Sequence, residues 1–231
     1  MKRPLGAGLA ALALVFASGC GDGEEEKAKE QPAADSQPAA PPSAAGCKQV
    51  EAPAPREDGG AEKPTGSLDP KRKYTVTLRT NCGEMSIALD AKTSPKTAAS
   101  FASLARQGFF DGTVFHRIVP GFVIQGGDPT GSGSGGPGYS TVDKPPADAA
   151  YTKGVVAMAK TGQEAPGTAG SQFYVVTGED AQLPPEYALL GKLTKGQDVA
   201  DRIGQLGDPA SGETGTPLQP VVIEKARVKA R

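Results

Sequence analysis

The residues best suited to recognition or catalysis lie close together in the segment 110–128, FDGTVFHRIVPGFVIQGGD. It contains the only histidine of the chain, His116, next to Arg117, and it continues through an apolar run to Gln125 and a pair of glycines. A guanidinium is a fixed fork of donors suited to carbonyl or amide groups. Together with an apolar floor and an amide, it predicts a small recognition pocket.

His116 can be interpreted in two ways. If the segment around it is a strand, Phe115 and Arg117 share one face and His116 points the other way. A single histidine in that setting is more often a packed, hydrogen-bonded core residue than an acid–base catalyst. The sequence therefore favours a structural role for His116, and Arg117 becomes the main candidate for chemistry.

Three other kinds of site are disfavoured. One histidine without paired ligands does not provide the donor set of a zinc site. A nucleophile pair of Cys82 and His116 is disfavoured because Cys82 falls in a predicted hairpin turn without a protease motif. The loop 131–136, GSGSGG, formally contains GxGxxG, but Pro137 follows it directly and it does not lie between a strand and a helix. It predicts a flexible surface loop.

Short strands must position the segment 110–128. Alternating apolar residues at 74–78 and 85–89, around a turn at 81–83, predict a β-hairpin. Ser94 and Pro95 predict the start of a helix. The remaining apolar runs predict strands at 114–118, 122–125, 155–159, 173–176, 188–193 and 221–228, and a second helix within 197–206. Two helices among many short strands predict a β-barrel or sandwich with helices covering its open ends.

The first twenty residues predict export. Lys2 and Arg3 precede an apolar run at 5–16 that is too short to span a bilayer, and small residues separate it from Cys20. A cysteine at this point resembles a bacterial lipoprotein cleavage site, although Ala17 stands where that pattern usually has leucine. We predict a signal peptide at 1–19 and an extracytoplasmic membrane anchor on a lipidated Cys20. The alternative is an ordinary signal that leaves Cys20 free.

Residues 20–70 and 71–231 differ in composition. The first stretch has almost no large apolar residue, so it predicts a disordered tether with a root-mean-square reach of roughly 40 Å. The second is long enough for one folded domain with its own core. The formal net charge of the whole chain is −1, and no basic stripe predicts a nucleic-acid partner.

The three cysteines are Cys20, Cys47 and Cys82. If Cys20 carries lipid, the other two form a pair in an oxidising compartment, where disulfides persist. We therefore predict a Cys47–Cys82 disulfide that joins the end of the tether to the domain. Two free thiols are the alternative.

Two long motifs resemble the cyclophilin family of peptidyl-prolyl cis–trans isomerases. The first is the segment 110–128, and the second is 154–178, GVVAMAKTGQEAPGTAGSQFYVVTG. The resemblance extends over 74–228, and it implies a mainly β fold, a closed eight-stranded antiparallel barrel capped by two α-helices. It also implies a prolyl isomerase that needs neither a metal nor another cofactor.

The resemblance also implies roles for individual residues. Arg117 matches the catalytic arginine, and Phe122 and Gln125 are predicted to be catalytic with it. Phe122 matches a wall of the proline pocket, and Gln125 matches a position that contacts the substrate backbone or flanks the pocket. The expected walls of the proline pocket and the contacts to the substrate backbone are Val123, Ala159, Lys160, Gln172, Phe173, Leu183 and Tyr187. Tyr187 stands where many eukaryotic members have histidine. Lys160 replaces an asparagine whose contact is largely through the backbone, and Gln182 replaces a tryptophan linked to cyclosporin affinity, which predicts weak binding of that drug.

The sequence thus predicts a monomeric isomerase that acts on X–Pro bonds of exported or cell-envelope proteins without a covalent intermediate. Its expected partners are proline-containing polypeptides and, through the N-terminal lipid, a membrane. The alternative function is a non-catalytic chaperone or scaffold that binds proline-containing segments at the membrane surface.

Overall fold

The computed structural model describes residues 46–231, so the predicted signal peptide and Cys20 lie outside the described residues. Within this range there are two α-helices, α1 (Pro95–Arg106) and α2 (Gln197–Gly204), and a short 3₁₀ helix at Pro209–Thr214. The strands are β1 (Tyr74–Thr80), β2 (Gly83–Leu89), β3 (Thr113–Val114), β4 (Arg117–Val119), β5 (Val123–Gly126), β6 (Thr141–Val142), β7 (Val155–Met158), β8 (Thr168–Ala169), β9 (Phe173–Val176), β10 (Leu189–Lys195) and β11 (Val222–Ala230). None of the helices in residues 46–231 is long and apolar enough to cross a bilayer.

Nine strands form one antiparallel sheet in the order β3-β11-β1-β2-β10-β7-β9-β5-β4, and β6 pairs with β8. The sheet curls around a core, so the predicted mainly β class with few helices is confirmed. The closed eight-stranded barrel is not confirmed, because the pairing order of the described strands ends at β3 and β4. These end strands have two and three residues, too few for a long ladder. A single bridge joins Val114 of β3 to Asp128, just beyond β5.

The predicted strand at 114–118 is divided into β3 and β4. Between them Phe115 turns inward and is 1% exposed, and its N–H donates to the carbonyl of Val221. Arg117 faces the opposite side of the sheet, where it lines a cavity. Phe115 and Arg117 therefore do not share a face, contrary to the prediction, because the break at 115–116 interrupts the simple alternation of a strand.

Helix α1 packs across the sheet and fills the core. Pro95 occupies its first turn as predicted, but Ser94 makes no capping hydrogen bond with its side chain. The helix buries Phe101, whose ring lies 4.5 Å from Phe110 and 5.2 Å from Phe173 between centroids. These aromatic contacts stabilise the sheet at the strands that carry the candidate site.

Residues 46–66, the N-terminal strap, run over the domain. A disulfide joins Cys47 to Cys82, and the guanidinium of Arg56 donates to the carbonyl of Phe109. Backbone N–H groups of the strap donate to domain carbonyls: Lys48 to Asn81, Arg56 to Pro129, Gly59 to Gly136 and Ala61 to Pro137.

The strap corrects the prediction of a disordered tether for this part of the chain. Composition indicated disorder because the stretch has almost no large apolar side chain with which to form a core of its own. Backbone hydrogen bonds and a disulfide hold the strap instead, and neither depends on apolar content. The rest of the predicted tether, residues 20–45, lies outside the described residues.

Candidate functional site

Pairing of four neighbouring strands aligns the site residues. Arg117 of β4 lies opposite Gln125 of β5, and Gln125 lies opposite Tyr174 of β9. Tyr174 in turn lies opposite Ala157 of β7. Directly opposed residues of antiparallel strands point to the same side of the sheet. Arg117, Gln125 and Tyr174 therefore face one cavity, while the residues that alternate with them enter the core.

That cavity has a volume of about 550 Å³, which is within the usual size range of small-ligand sites. Its walls are mostly apolar, with a few polar and charged groups among them. It is lined by Val119, Phe122, Val123, Ala159, Tyr174, Leu183 and Tyr187, together with Arg117, Gln125, Lys160 and Glu213. We call it the catalytic cavity, after the catalytic role that the resemblance implies for Arg117.

The guanidinium of Arg117 is held from three sides. Its Nε donates to the carbonyl of Glu213 at 2.9 Å, and Nη1 lies 3.4 Å from Oε1 of Gln125. Its Cζ lies 5.7 Å from the ring centroid of Phe122, within the range of a cation–π contact. Gly215 permits this approach, because a Cβ there would lie 2.9 Å from Cγ of Arg117. These contacts fix the direction in which the remaining N–H groups can donate.

Arg117 keeps its positive charge although it is half-buried. Burial lowers the pKa of its guanidinium, while Glu213 and Tyr187 raise it. A guanidinium does not lose its proton in proteins. Arg117 is therefore a permanent donor of hydrogen bonds, not a proton donor, at the edge of an apolar cavity.

A chain of side-chain amides connects Arg117 to the glycine-rich loop. Nε2 of Gln125 donates to Oε1 of Gln172 at 3.0 Å. Nε2 of Gln172 in turn lies 2.9 Å from the carbonyl oxygens of both Gly133 and Gly135. The loop thus orients Gln172, which orients Gln125 beside Arg117.

The buried carboxylate of Asp128 holds the glycine-rich loop through hydrogen bonds. Its carboxylate accepts from the backbone N–H groups of Thr130 (2.7 Å), Gly133 (2.6 Å) and Gly135 (3.1 Å). Burial raises the pKa of the Asp128 carboxyl, but the hydrogen bonds from Thr130, Gly135 and Gly133 outweigh it and bring the pKa below its ordinary value. Two N–H groups of the loop 131–136 are therefore tied to a buried carboxylate. Residues 132–134 are exposed, which confirms the predicted surface position of the loop, and its flexibility stays a prediction.

His116 packs beside the catalytic cavity and is not among the residues that line it. Burial lowers the pKa of His116, Asp128 raises it, and Arg117 lowers it further. The imidazole is therefore neutral at neutral pH. This placement agrees with the interpretation of His116 as scaffold, although its buried Nδ1 makes no hydrogen bond within residues 46–231.

Eight of the ten predicted catalytic and substrate-binding residues line the catalytic cavity. Gln172 lies next to it through its bond to Gln125. Phe173 is misplaced in the prediction: it is fully buried in the core, with ring centroids 5.2 Å from Phe101 and 5.9 Å from Phe115. Strand alternation explains this, since Phe173 points away from the face that carries Tyr174.

Tyr174 and Glu213 line the cavity but are not among the residues predicted from sequence. Alternation along β9 contained the signal for Tyr174, because it shares the face of Gln172 two residues earlier. Glu213 had no comparable signal. It lies in the kinked 3₁₀ helix at Pro209–Thr214, far from Arg117 in sequence, and it contributes a backbone carbonyl.

Lys160 and Tyr187 form one side of the cavity. Nζ of Lys160 lies 3.1 Å from Oε2 of Glu186 and 5.5 Å from the ring centroid of Tyr187. The ammonium is thereby paired within the protein and leaves little free positive charge at this wall. Gln182 is exposed with a left-handed backbone (φ 51°), and its predicted effect on cyclosporin binding stays a prediction.

Removing the hydroxyl of Tyr174 is expected to stabilise the protein. It is buried and has no hydrogen-bond partner within residues 46–231, and burial raises the pKa of Tyr174, so the group stays neutral. Because an unpartnered buried polar group is unfavourable, we expect Tyr174→Phe to raise the free energy of unfolding by about 1 kcal/mol. Urea denaturation followed by circular dichroism measures this change.

Tyr151→Phe is the matched control. The Tyr151 hydroxyl donates to the carbonyl of Tyr187 at 2.7 Å and accepts from its N–H at 3.0 Å. Removing it is expected to lower the free energy of unfolding by about 1–3 kcal/mol. Equal destabilisation by the two substitutions would contradict the view that the Tyr174 hydroxyl is unpartnered.

The described part of the chain contains no group of three or more His, Cys, Asp or Glu side chains that could hold a metal ion. The lining of the catalytic cavity combines apolar walls with hydrogen-bond donors and acceptors. An apolar cavity of this size can enclose a small ring, and the fixed guanidinium beside it can donate to an amide nitrogen or carbonyl attached to that ring.

Comparisons with known proteins agree with this arrangement. The family model described as cyclophilin type peptidyl-prolyl cis-trans isomerase/CLD matches residues 75–228. The chain is 39% identical over 173 residues to the probable peptidyl-prolyl cis-trans isomerase A of Mycobacterium leprae, covering 67% of this chain and 91% of that protein. It is 38% identical over 174 residues to peptidyl-prolyl cis-trans isomerase B of Streptomyces anulatus, covering 68% and 97% respectively.

A solved structure shows the same likeness. The cyclophilin type peptidyl-prolyl cis-trans isomerase of Cryptosporidium parvum, crystallised in the presence of the dipeptide Ala-Pro, superposes with a TM-score of 0.60 at 31% identity. The match covers 67% of this chain and 98% of that chain. The family model, the relatives and the fold all lead to the same conclusion: the chain belongs to the cyclophilin-type peptidyl-prolyl cis–trans isomerases and is an enzyme of that type.

Proposed function

We propose that the protein is a lipid-anchored prolyl isomerase that accelerates rotation about X–Pro bonds in exported or cell-envelope proteins, without a covalent intermediate or a cofactor. The observation that carries the catalytic part is the position of Arg117. Its guanidinium is fixed at the edge of an apolar cavity of about 550 Å³.

The reaction needs stabilisation of a twisted amide. Rotation about a peptide bond has a barrier of about 18–20 kcal/mol because the nitrogen lone pair is delocalised into the carbonyl. At X–Pro bonds both isomers are populated, but they exchange over roughly tens to hundreds of seconds. A catalyst therefore has to bind the rotated amide more tightly than either planar isomer.

The catalytic cavity supplies groups suited to that task. Phe122, Val123 and Leu183 form apolar walls that can hold the proline ring. Arg117 can then donate to the prolyl nitrogen, or to a carbonyl next to it, as the bond twists and the charge on these atoms changes. A thousandfold acceleration requires only about 4 kcal/mol of preferential binding. A hydrogen bond from a charged donor contributes about 1.5–3 kcal/mol, so Arg117 in its ordered surroundings can supply a large part of this preferential binding.

Two features support the extracytoplasmic location. The first is the N-terminal sequence, with its basic start, short apolar run and Cys20 after small residues. The second is the Cys47–Cys82 disulfide, a bond that persists in oxidising compartments and is rare in the cytosol. A lipid on Cys20 would place the enzyme at the membrane surface, where newly exported chains fold.

The anchor can be tested by expressing the full chain and the variant Cys20→Ala in a bacterial host. Intact mass spectrometry is expected to show the wild-type protein beginning at Cys20 with an added diacylglycerol or triacyl mass. The wild type should sediment with membranes. The variant should lack the added mass and fail to be anchored. A mature wild-type N-terminus without lipid would contradict the anchor but would leave the isomerase activity untouched.

A further inference from the structure

A second cavity adjoins the catalytic cavity. It has a volume of about 420 Å³ and shares three wall residues with its neighbour, Gln125, Ala159 and Lys160. Its other walls are the glycine-rich loop 133–140 and the stretch Gly170–Gln172, together with Thr161, Glu164 and Asp58. A polypeptide whose proline lies in the catalytic cavity can therefore extend past this second cavity.

Asp58 reaches this cavity from the N-terminal strap, outside the sheet and loops that build the rest of the site. Its Oδ1 accepts from the backbone N–H of Gly136 at 2.7 Å, and the N–H of Gly59 donates to the carbonyl of Gly136 at 3.0 Å. The strap fits closely here, since a Cβ on Gly138 would lie only 3.2 Å from Cα of Gly59. The carboxylate of Asp58 is thus held at a definite place on the wall.

The charge of the second cavity is negative on balance. Three charged side chains line it, Asp58, Lys160 and Glu164. The ammonium of Lys160 is paired with Glu186 at 3.1 Å and is almost completely buried. Oε2 of Glu164 accepts from the backbone N–H of Thr161 at 2.6 Å, a contact that leaves its charge uncompensated.

We propose that Asp58 is a specificity-determining residue, which favours substrates with a lysine or arginine two or three residues away from the isomerised proline. This inference rests on the proposed isomerase function and names the class of proline segment that the enzyme prefers. An extended peptide advances about 3.3 Å per residue, so a side chain at that distance can reach from one cavity to the next. The carboxylate then attracts a positive group and repels a negative one.

The test uses peptides that differ only in charge. The mature chain is assayed on proline peptides carrying Lys, Ala or Glu two or three residues before or after the proline. At low ionic strength, kcat/KM for the preferred Lys position is expected to exceed that for Glu by roughly threefold to fivefold, the range of an exposed ion pair. The preference should weaken as salt is added.

Three variants distinguish the effect of the Asp58 charge from the effect of a neighbouring charge. Asp58→Asn keeps the acceptor for Gly136 and is expected to lower the Lys-to-Glu ratio at least twofold, chiefly through KM. Asp58→Glu, which restores the charge, should restore the ratio. Glu57→Gln removes the same charge from the neighbouring residue, which is exposed and does not line the cavity, and should leave the ratio unchanged.

The outcomes can be told apart. Two results would overturn the role of Asp58 and leave the isomerase function standing. One is turnover of all peptides without any charge preference. The other is an equal loss of preference in Asp58→Asn and Glu57→Gln. Failure to accelerate any proline peptide would overturn the isomerase function itself.

Discussion

Replacement of Arg117 by alanine is expected to lower kcat/KM for proline peptides at least tenfold, while the far-UV circular dichroism stays native. Arg117 is the charged donor held beside the apolar walls of the catalytic cavity. A hydrogen bond from a charged group contributes about 1.5–3 kcal/mol, which corresponds to roughly ten- to a hundredfold in rate if it is made in the transition state. The side chain is half-buried and lines the cavity instead of the core, so the fold should survive.

A protease-coupled assay of peptide isomerisation measures this effect. Arg79→Ala is the matched control, because Arg79 lies on β1 in an exposed ion pair with Glu224 at 3.1 Å. The control should retain wild-type activity. Arg117→Lys should also lose activity, since an ammonium cannot reproduce the planar fork of donors. Unchanged turnover in Arg117→Ala would refute its catalytic role, and peptide binding without any rate increase in the wild type would favour a binding module.

Removal of the disulfide is expected to produce the largest loss of stability. The double variant Cys47→Ser, Cys82→Ser frees a loop whose ends are 35 residues apart. Loop-closure entropy predicts a loss of about 3–4 kcal/mol in the free energy of unfolding for a loop of this length. The native strap also loses its attachment at the Cys47 end. Guanidinium denaturation under non-reducing conditions measures the change.

The wild-type protein with reductant is the control and should approach the stability of the double variant. Trypsin should cleave at Lys48 and Arg56 of the strap faster in the variant than in the oxidised wild type. Peptide mapping provides an independent check. If both cysteines of the wild type react with an alkylating agent without prior reduction, the disulfide and the expected loss of stability are both contradicted.

Much of the site could be predicted from sequence because most of its residues lie in strands or in one short segment of the chain. Alternation of apolar and polar residues along β1 and β2 predicts the hairpin, and Pro95 predicts the start of α1. The segment 110–128 carries Arg117, Phe122 and Gln125 in one short stretch, so their proximity follows from chain connectivity. The structure places these three residues around one cavity.

Other features depend on contacts that sequence spacing does not encode. The carbonyl of Glu213 reaches Arg117 across 96 residues of chain. The loop 131–136 is composed of glycine and serine, which indicates flexibility, yet the carboxylate of Asp128 holds its N–H groups. Composition describes what a segment can do alone, and here hydrogen bonds to a carboxylate just outside the segment decide what it does.

The sequence by itself determined the family, the mainly β class and most residues of the catalytic cavity, because local periodicity and two contiguous motifs carry that information. The tertiary structure decided which face each residue takes and what holds it there. Strand pairing places Tyr174 in the cavity and Phe173 in the core. Backbone hydrogen bonds and the Cys47–Cys82 disulfide hold the strap, with Asp58, against the site. Backbone hydrogen bonds are open to almost every residue type, so sequence composition does not reveal them.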